Sequence, residues 1–326
     1  MFGKIISTGS YIPKKKITNN DIAKVVDTDN DWIVERTGIK TRYIMENEST
    51  AEMAYLAAKS ALEKSELDSE DIDLIIVSSV SSNLVLPNTA CYVQEKLGAK
   101  NAMCMDVNVA CTGFMMAYNT AQAYINTGLI ENAIIVGAEG LSKLVNWQDR
   151  GSCILFGDGA GAVVIKKDEN AKFKTVMYAD GNGGVSLEMK NEFSNRATPF
   201  GDRVIKSDLE DYYIKMDGGA VFRFALDKIP KCINELLDDL GMDREEIDKY
   251  ILHQANERII NSIVKRLKID KVKVPMNIEK YGNTSSACIP ILLDEMMENN
   301  NIKDGDKVVM SGFGAGLTWA ATYMEF

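Results

Sequence analysis

Three residues in this chain have types and settings that suit a nucleophilic site for acyl transfer. Cys111 lies in "DVNVACTGF" (106–114), where a strand-like run stops at small residues and a helical pattern opens. His253, the one histidine among 326 residues, closes an apolar run in "YILHQANERI". Asn283 stands in "KYGNTSSACIP", another small-residue turn ahead of a helical run. A cysteine, a histidine and an asparagine at strand-end turns form a nucleophilic constellation. A helix beginning at Cys111 would aim unpaired backbone N–H groups at the sulfur, which lowers a thiol pKa and helps hold an oxyanion. The other two side chains are neutral donors able to stabilise an enolate without a metal. Each residue also has an ordinary reading when taken alone: a packed cysteine, a satisfied core histidine, and a turn or N-cap asparagine.

Other chemistries find little support. The six cysteines are scattered with no C-x-x-C pair, and one histidine cannot build a His-rich metal site. "FGDGAGA" and "GFGAG" match neither G-x-G-x-x-G between a strand and its helix nor a Walker A loop, and close backbone packing accounts better for their glycines. The G-x-S-x-G elbow of serine hydrolases is absent.

The elements that must position these residues alternate between strand and helix. "DLIIVSSV", "NAIIVGAE", "GAGAVVIKK" and "DKVVMSGFG" are apolar and β-branched, as strands buried on both faces should be. "STAEMAYLAAKSALEKSEL" opens as a capping box, Ser49 with Glu52 three residues on, before an amphipathic helix. Alternation of this kind predicts parallel βαβ units. A weak internal repeat strengthens the pattern. "EDIDLIIVSSV" from Glu70 and "ACTGFMMAYNTAQAYINTGLIENAIIVGAEG" from Ala110 match "EEIDKYILHQAN" from Glu245 and "GNTSSACIPILLDEMMENNNIKDGDKVVMSGFG" from Gly282, at nearly equal offsets. In this alignment Asn283 falls roughly opposite Cys111. The polar stretch "KKDENAKFK" marks the seam, giving halves of 1–170 with the cysteine and 171–326 with the histidine and asparagine.

Composition bounds the rest. With 46% hydrophobic and 26% charged residues the chain expects a large packed core, and its net charge of −10 disfavours nucleic acid as a partner. No run approaches the ~20 apolar residues of a membrane span, and the first residues lack a signal-peptide pattern, so a cytoplasmic protein with no membrane partner is expected.

Taken together, "DVNVACTGF", "ILHQAN", "YGNTSSA", "GFGAGLTWA" and "ERTGIKTRYI" resemble the β-ketoacyl-acyl-carrier-protein synthase III family, the initiating condensing enzymes of fatty acid synthesis, from end to end. The resemblance implies a duplicated thiolase-like αβαβα fold, no cofactor beyond a coenzyme A thioester as substrate, malonyl-acyl-carrier protein as second substrate, and a homodimer. It makes Cys111 the acyl acceptor, with His253 and Asn283 assisting decarboxylation, and the backbone N–H groups of Cys111 and Ala315 the oxyanion hole. Thr28, Trp32, Arg36, Arg150 and Asn256 occupy coenzyme A-binding positions, with the adenine held between Trp32 and Arg150. Leu86 stands where many members place a phenylalanine that the partner subunit inserts against the acyl pocket. Arg223, Arg258, Lys265 and Arg266 match basic positions for docking the acidic carrier. One histidine excludes the two-histidine elongating enzymes, and a C-terminal glycine loop without cysteine excludes thiolases. A condensing or acyl-transfer relative in secondary metabolism, and a catalytically silent partner of the same fold, remain as alternatives. The polar segment 185–203 has no assigned role.

Overall fold

The computed structural model describes residues 1–191 and 212–326. In chain order the strands are β1 (Phe2–Tyr11), β2 (Lys15–Thr18), β3 (Thr41–Ile44), β4 (Leu74–Ser78), β5 (Met103–Val107), β6 (Asn132–Gly140), β7 (Asp158–Asp168), β8 (Phe173–Ala179), β9 (Leu187–Glu188), β10 (Lys215–Met216), β11 (Lys249–Leu252), β12 (Lys307–Gly314) and β13 (Thr318–Glu325). The helices are α1 (Asn19–Ile22), α2 (Asn30–Thr37), α3 (Thr50–Glu63), α4 (Thr89–Leu97), α5 (Gly113–Asn126), α6 (Gly218–Leu240), α7 (Glu257–Leu267), α8 (Ile278–Tyr281) and α9 (Cys288–Glu298).

Two sheets carry the architecture, ordered β1-β7-β6-β4-β5 and β11-β12-β13-β8. Apolar side chains of both sheets close on α5 and α9 between them, among them Ile76, Phe114, Ile135, Leu292 and Met310. Helices α3 and α4 cover the outer face of the first sheet, and α6 and α7 that of the second. The layering is therefore αβαβα, as the duplicated pattern and the resemblance lead one to expect. β4 is buried at every position, which explains its unbroken apolar sequence.

The sheets are mixed rather than parallel. β4 runs parallel to β5 and β6, and β11 to β12, but β7 is antiparallel to β6 and β1, and β13 to β12 and β8. The residues joining β6 to β7 and β12 to β13 contain no crossover helix, and without one a strand returns antiparallel. The capping box at α3 is half formed. Ser49 accepts the Glu52 N–H at 3.1 Å, while the Glu52 carboxylate receives the Tyr92 hydroxyl at 2.6 Å. Segment 185–191 contributes β9, which pairs with β10, and residues 192–203 lie outside those described.

The repeat is visible in detail. Asp73 accepts the backbone N–H of Asn132, and Asp248 that of Lys307 (3.0 and 2.9 Å), so each half pins its strands with the same carboxylate. Ala110 and Ser285 both have positive φ (44° and 50°), and each opens a single 3-10 turn, Ala110–Thr112 or Ser285–Ala287, ahead of α5 or α9. This register puts Ser286 opposite Cys111 and Asn108 opposite Asn283. The rough sequence match of Asn283 with Cys111 is thus off by three residues, because small-residue turns align loosely until their backbone is seen.

Candidate active site

The 3-10 turn, not α5 itself, carries Cys111, and the helix starts two residues later at Gly113. Two glycines let the backbone come close here. A Cβ on Gly113 would collide with Ser78 Oγ, and one on Gly314 would stand 2.9 Å from the Cys111 nitrogen. The end of β12 consequently lies directly against the cysteine. His253 follows β11 and is fixed by its N–H to the Ser311 carbonyl at 2.8 Å and by the edge of Phe313, 5.4 Å away. Asn283 is fixed by an N–H to the Leu155 carbonyl, and its Oδ1 accepts the Ser285 N–H at 2.8 Å. That bond occupies the amide oxygen, and among the described residues the Nδ2 hydrogens meet no acceptor.

Cys111, His253, Asn283, Ala315 and Asn256 all line one cavity of about 750 Å³, whose apolar walls include Leu141, Leu155, Phe156 and Phe224. Ala315 is not among the residues with positive φ, so the alanine sits there without the penalty that would favour glycine. Cys111 and His253 are 8% and 3% exposed. Burial pushes the Cys111 thiol up to about 12, with the negative charge of Glu139 adding to it, and lowers His253 to about 3. The expected lowering of the thiol pKa is not found: desolvation disfavours the thiolate more than nearby amides favour it. At neutral pH the resting pair is a thiol and an uncharged imidazole.

Glu139, which the sequence reading passed over, stands behind this pair. It is fully buried, accepts the hydroxyls of Ser81 (2.6 Å) and Ser286 (2.8 Å) and the Val80 N–H, and so ties the two halves together. The Ser285 hydroxyl favours ionisation of both Glu139 and Cys111. An acid inside the unbroken apolar run "NAIIVGAEG" was the available signal. Burial raises its pKa from 4.5 to about 7. A raised carboxyl stabilises the fold below its unfolded pKa, and that contribution is lost as pH climbs towards 7, by about 3 kcal/mol. Urea unfolding should therefore show Glu139→Gln gaining on the parent protein between pH 5 and 8. A difference independent of pH would contradict this account of the carboxyl.

The other site candidates fall in two places. Trp32, on α2, has the guanidinium carbons of Arg36 and Arg150 at 4.3 and 4.6 Å from its ring centroid. A purine between Trp32 and Arg150 needs two stacking distances, so Arg150, which also donates to the Asp27 carbonyl, must swing away to admit one. The Thr28 hydroxyl is buried without a hydrogen-bond partner among the described residues. Asn256 caps α7 through the Arg258 N–H and donates to the Arg36 carbonyl at 2.9 Å, joining this cluster to the cavity. Arg223, on α6, and Arg258 and Lys265, on α7, are exposed, while Arg266 reaches across to the Leu226 carbonyl. Leu86 is 84% exposed and does not line the cavity of its own chain. Among the described residues no group of three or more His, Cys, Asp or Glu could hold a metal, and no helix is long and apolar enough to cross a membrane.

Comparison with known proteins gives a consistent result. The family described as 3-Oxoacyl-[acyl-carrier-protein (ACP)] synthase III matches residues 105–184, and its C-terminal counterpart residues 237–326. The β-ketoacyl-[acyl-carrier-protein] synthase III of Clostridium acetobutylicum is 46% identical, over 99% of this chain and 98% of that protein. Among solved structures, the 3-oxoacyl-[acyl-carrier-protein] synthase III of Aquifex aeolicus VF5 superposes with a TM-score of 0.92 at 41% identity, covering 99% of this chain and all of that one. The priming β-ketosynthase of the R1128 polyketide pathway has a TM-score of 0.92 at 31% identity, covering 100% and 96%.

Proposed function

The chain belongs to the 3-oxoacyl-acyl-carrier-protein synthase III family, and from that membership we propose how its residues carry out the initiating condensation of an acyl-CoA with malonyl-acyl-carrier protein. The observation that carries the reading is the convergence of Cys111, His253, Asn283 and Ala315 on one apolar cavity.

Cys111 Sγ attacks the acyl-CoA carbonyl, with the backbone N–H groups of Cys111 and Ala315 receiving the oxyanion. The C–S bond to coenzyme A breaks, and the thiol proton leaves with the coenzyme A sulfur, which suits a nucleophile that rests protonated. Malonyl-carrier protein then enters the same cavity. Loss of carbon dioxide moves an electron pair onto the remaining two-carbon unit. His253 and Asn283, both neutral donors, hold the resulting enolate oxygen. The carbanion attacks the acyl-Cys111 carbonyl, the thiolate leaves and takes up a proton, and 3-oxoacyl-carrier protein departs. Both thioesters bring their own activation, so the chemistry asks for no cofactor or metal, and its covalent intermediate makes the kinetics ping-pong.

Trp32, Arg36 and Arg150 take the nucleotide end of coenzyme A, with the unpartnered Thr28 hydroxyl beside them and Asn256 on the pantetheine arm. Arg223, Arg258, Lys265 and Arg266 form the landing face for an acidic carrier, since these four side chains put positive charge on α6 and α7, helices that border the cavity, in a chain of net charge −10. Leu84, Val85 and Leu86 are 41%, 65% and 84% exposed on one loop, an apolar patch that a second copy of the chain would cover. The reading places the enzyme in the cytoplasm.

A second reading, a priming synthase of a secondary pathway, rests on the similarity to the polyketide ketosynthase. Assaying a panel of acyl-CoAs against malonyl-carrier proteins of both pathways separates the two. Carbon dioxide and 3-oxoacyl product with the fatty acid carrier support the first reading, and turnover confined to a polyketide carrier supports the second. In the same assay Leu86→Phe is expected to narrow the primer range by several-fold against branched and longer chains. An unchanged preference would remove Leu86 from the acyl pocket.

A further inference from the structure

Of the buried thiols the mechanism leaves unused, Cys288 touches the site's histidine. Cys288, the first residue of α9, is 3% exposed, and its Sγ lies 2.8 Å from His253 Nδ1. The sulfur also receives the backbone N–H of Gln254, at 3.4 Å. A thiol has one proton to give and only weak capacity to accept. With Gln254 donating to the sulfur, the S–H is left to donate, and the acceptor it meets among the described residues is Nδ1.

We propose that Cys288 is a positioning residue that holds His253 in the tautomer with Nδ1 unprotonated and Nε2–H turned to the substrate. The hydrogen bond made by one ring nitrogen of a neutral histidine sets the state of the other. Burial keeps both partners in the required forms: it lowers the imidazole pKa far enough that the ring is neutral, and it pushes the Cys288 thiol well above its ordinary range, so the proton stays on sulfur. The tautomer decides the chemistry. Nε2–H donates to an enolate oxygen beside the Asn283 amide, whereas an Nε2 lone pair would repel it. In the proposed mechanism the acylation of Cys111 does not use this bond, so the inference concerns the decarboxylating half-reaction alone. It rests on the functional reading above for its consequence, but not for its geometry.

Because the chain has one histidine, nitrogen-15 labelling of histidine gives a spectrum belonging to His253 only. The intact protein is expected to show a protonated ε nitrogen and an unprotonated δ nitrogen. In Cys288→Ala the two tautomers should mix, and decarboxylation of malonyl-carrier protein should fall about tenfold, the loss of one net hydrogen bond, while acylation of Cys111 keeps its rate. Cys288→Ser retains an O–H donor and should restore both the spectrum and the rate, which separates the bond from the packing of the site. A δ-protonated ring in the parent protein overturns the proposal, as does an unchanged spectrum in Cys288→Ala, whatever the rate of decarboxylation. The spectrum is read without substrate and decides the proposal by itself. Absence of condensation with every thioester would count against the functional reading only.

Discussion

Cys111→Ala is expected to lose condensation by at least about 10³-fold while still folding and still releasing carbon dioxide from malonyl-carrier protein. The loss follows from removing the atom that, in the proposed mechanism, holds the acyl group between half-reactions. The survival follows from the construction of the site. His253 is fixed from Ser311 and Phe313, and Asn283 from Leu155 and Ser285, so neither donor relies on the cysteine side chain. Alanine keeps the backbone N–H, and its Cβ occupies the space already used by that of Cys111. Carbon dioxide release, measured with malonyl-carrier protein alone, checks the separation. Loss of both reactions together, in a protein with native unfolding behaviour, would mean that the sulfur itself takes part in decarboxylation.

The complementary expectation concerns Asn283→Ala. Its two Nδ2 hydrogens are available because Oδ1 is already held by the Ser285 N–H, and in the proposed mechanism they act on charge that exists only after carbon dioxide begins to leave. Removing one such donor costs roughly 10²–10³-fold in comparable oxyanion holes. The effect should fall on condensation and decarboxylation alike, while the rate of Cys111 acylation stays within a few-fold of the parent. Single-turnover acylation followed by a malonyl-carrier protein chase resolves the two steps. A matching loss in acylation would place Asn283 in the first half-reaction and remove it from the enolate site. Asn283→Asp is a stringent companion, since a carboxylate offers no donors and adds a negative charge where one develops.

Much of the candidate site could be read from residue types because the proposed chemistry falls on few residues, one of them the chain's single histidine. A single histidine and a cysteine at a strand end stand out in a chain, the duplicated strand-turn-helix pattern around them implied two halves, and the family resemblance implied the layered sheets. What escaped was set by burial and by partners distant in sequence. The mixed strand directions depend on which connections hold a helix, and the two without one were not distinguishable from ordinary loops. The thiol pKa moved up, not down, because the turn buries Cys111 beside Glu139, and a helix N-terminus in sequence carries no measure of desolvation. Glu139 receives hydroxyls from Ser81 and Ser286, 58 and 147 residues away, and Cys288 meets His253 across 35 residues. Neither pairing leaves a local pattern. The candidate docking residues Arg223, Arg258, Lys265 and Arg266 were legible only as charge and by their places in the family resemblance. The structure adds that Arg266 already serves as a link between α7 and α6.

The central claim is that one residue, Cys111, carries the acyl group from coenzyme A to the malonyl unit. Intact-mass spectrometry after mixing the protein with an acyl-CoA, followed by a chase with malonyl-carrier protein, tests it most directly. The account predicts a mass gain of one acyl group, its absence in Cys111→Ala, and its disappearance on the chase as 3-oxoacyl-carrier protein forms. An acyl adduct on Cys111→Ala, or product formed by the parent protein with no acyl-enzyme on the way, would contradict it.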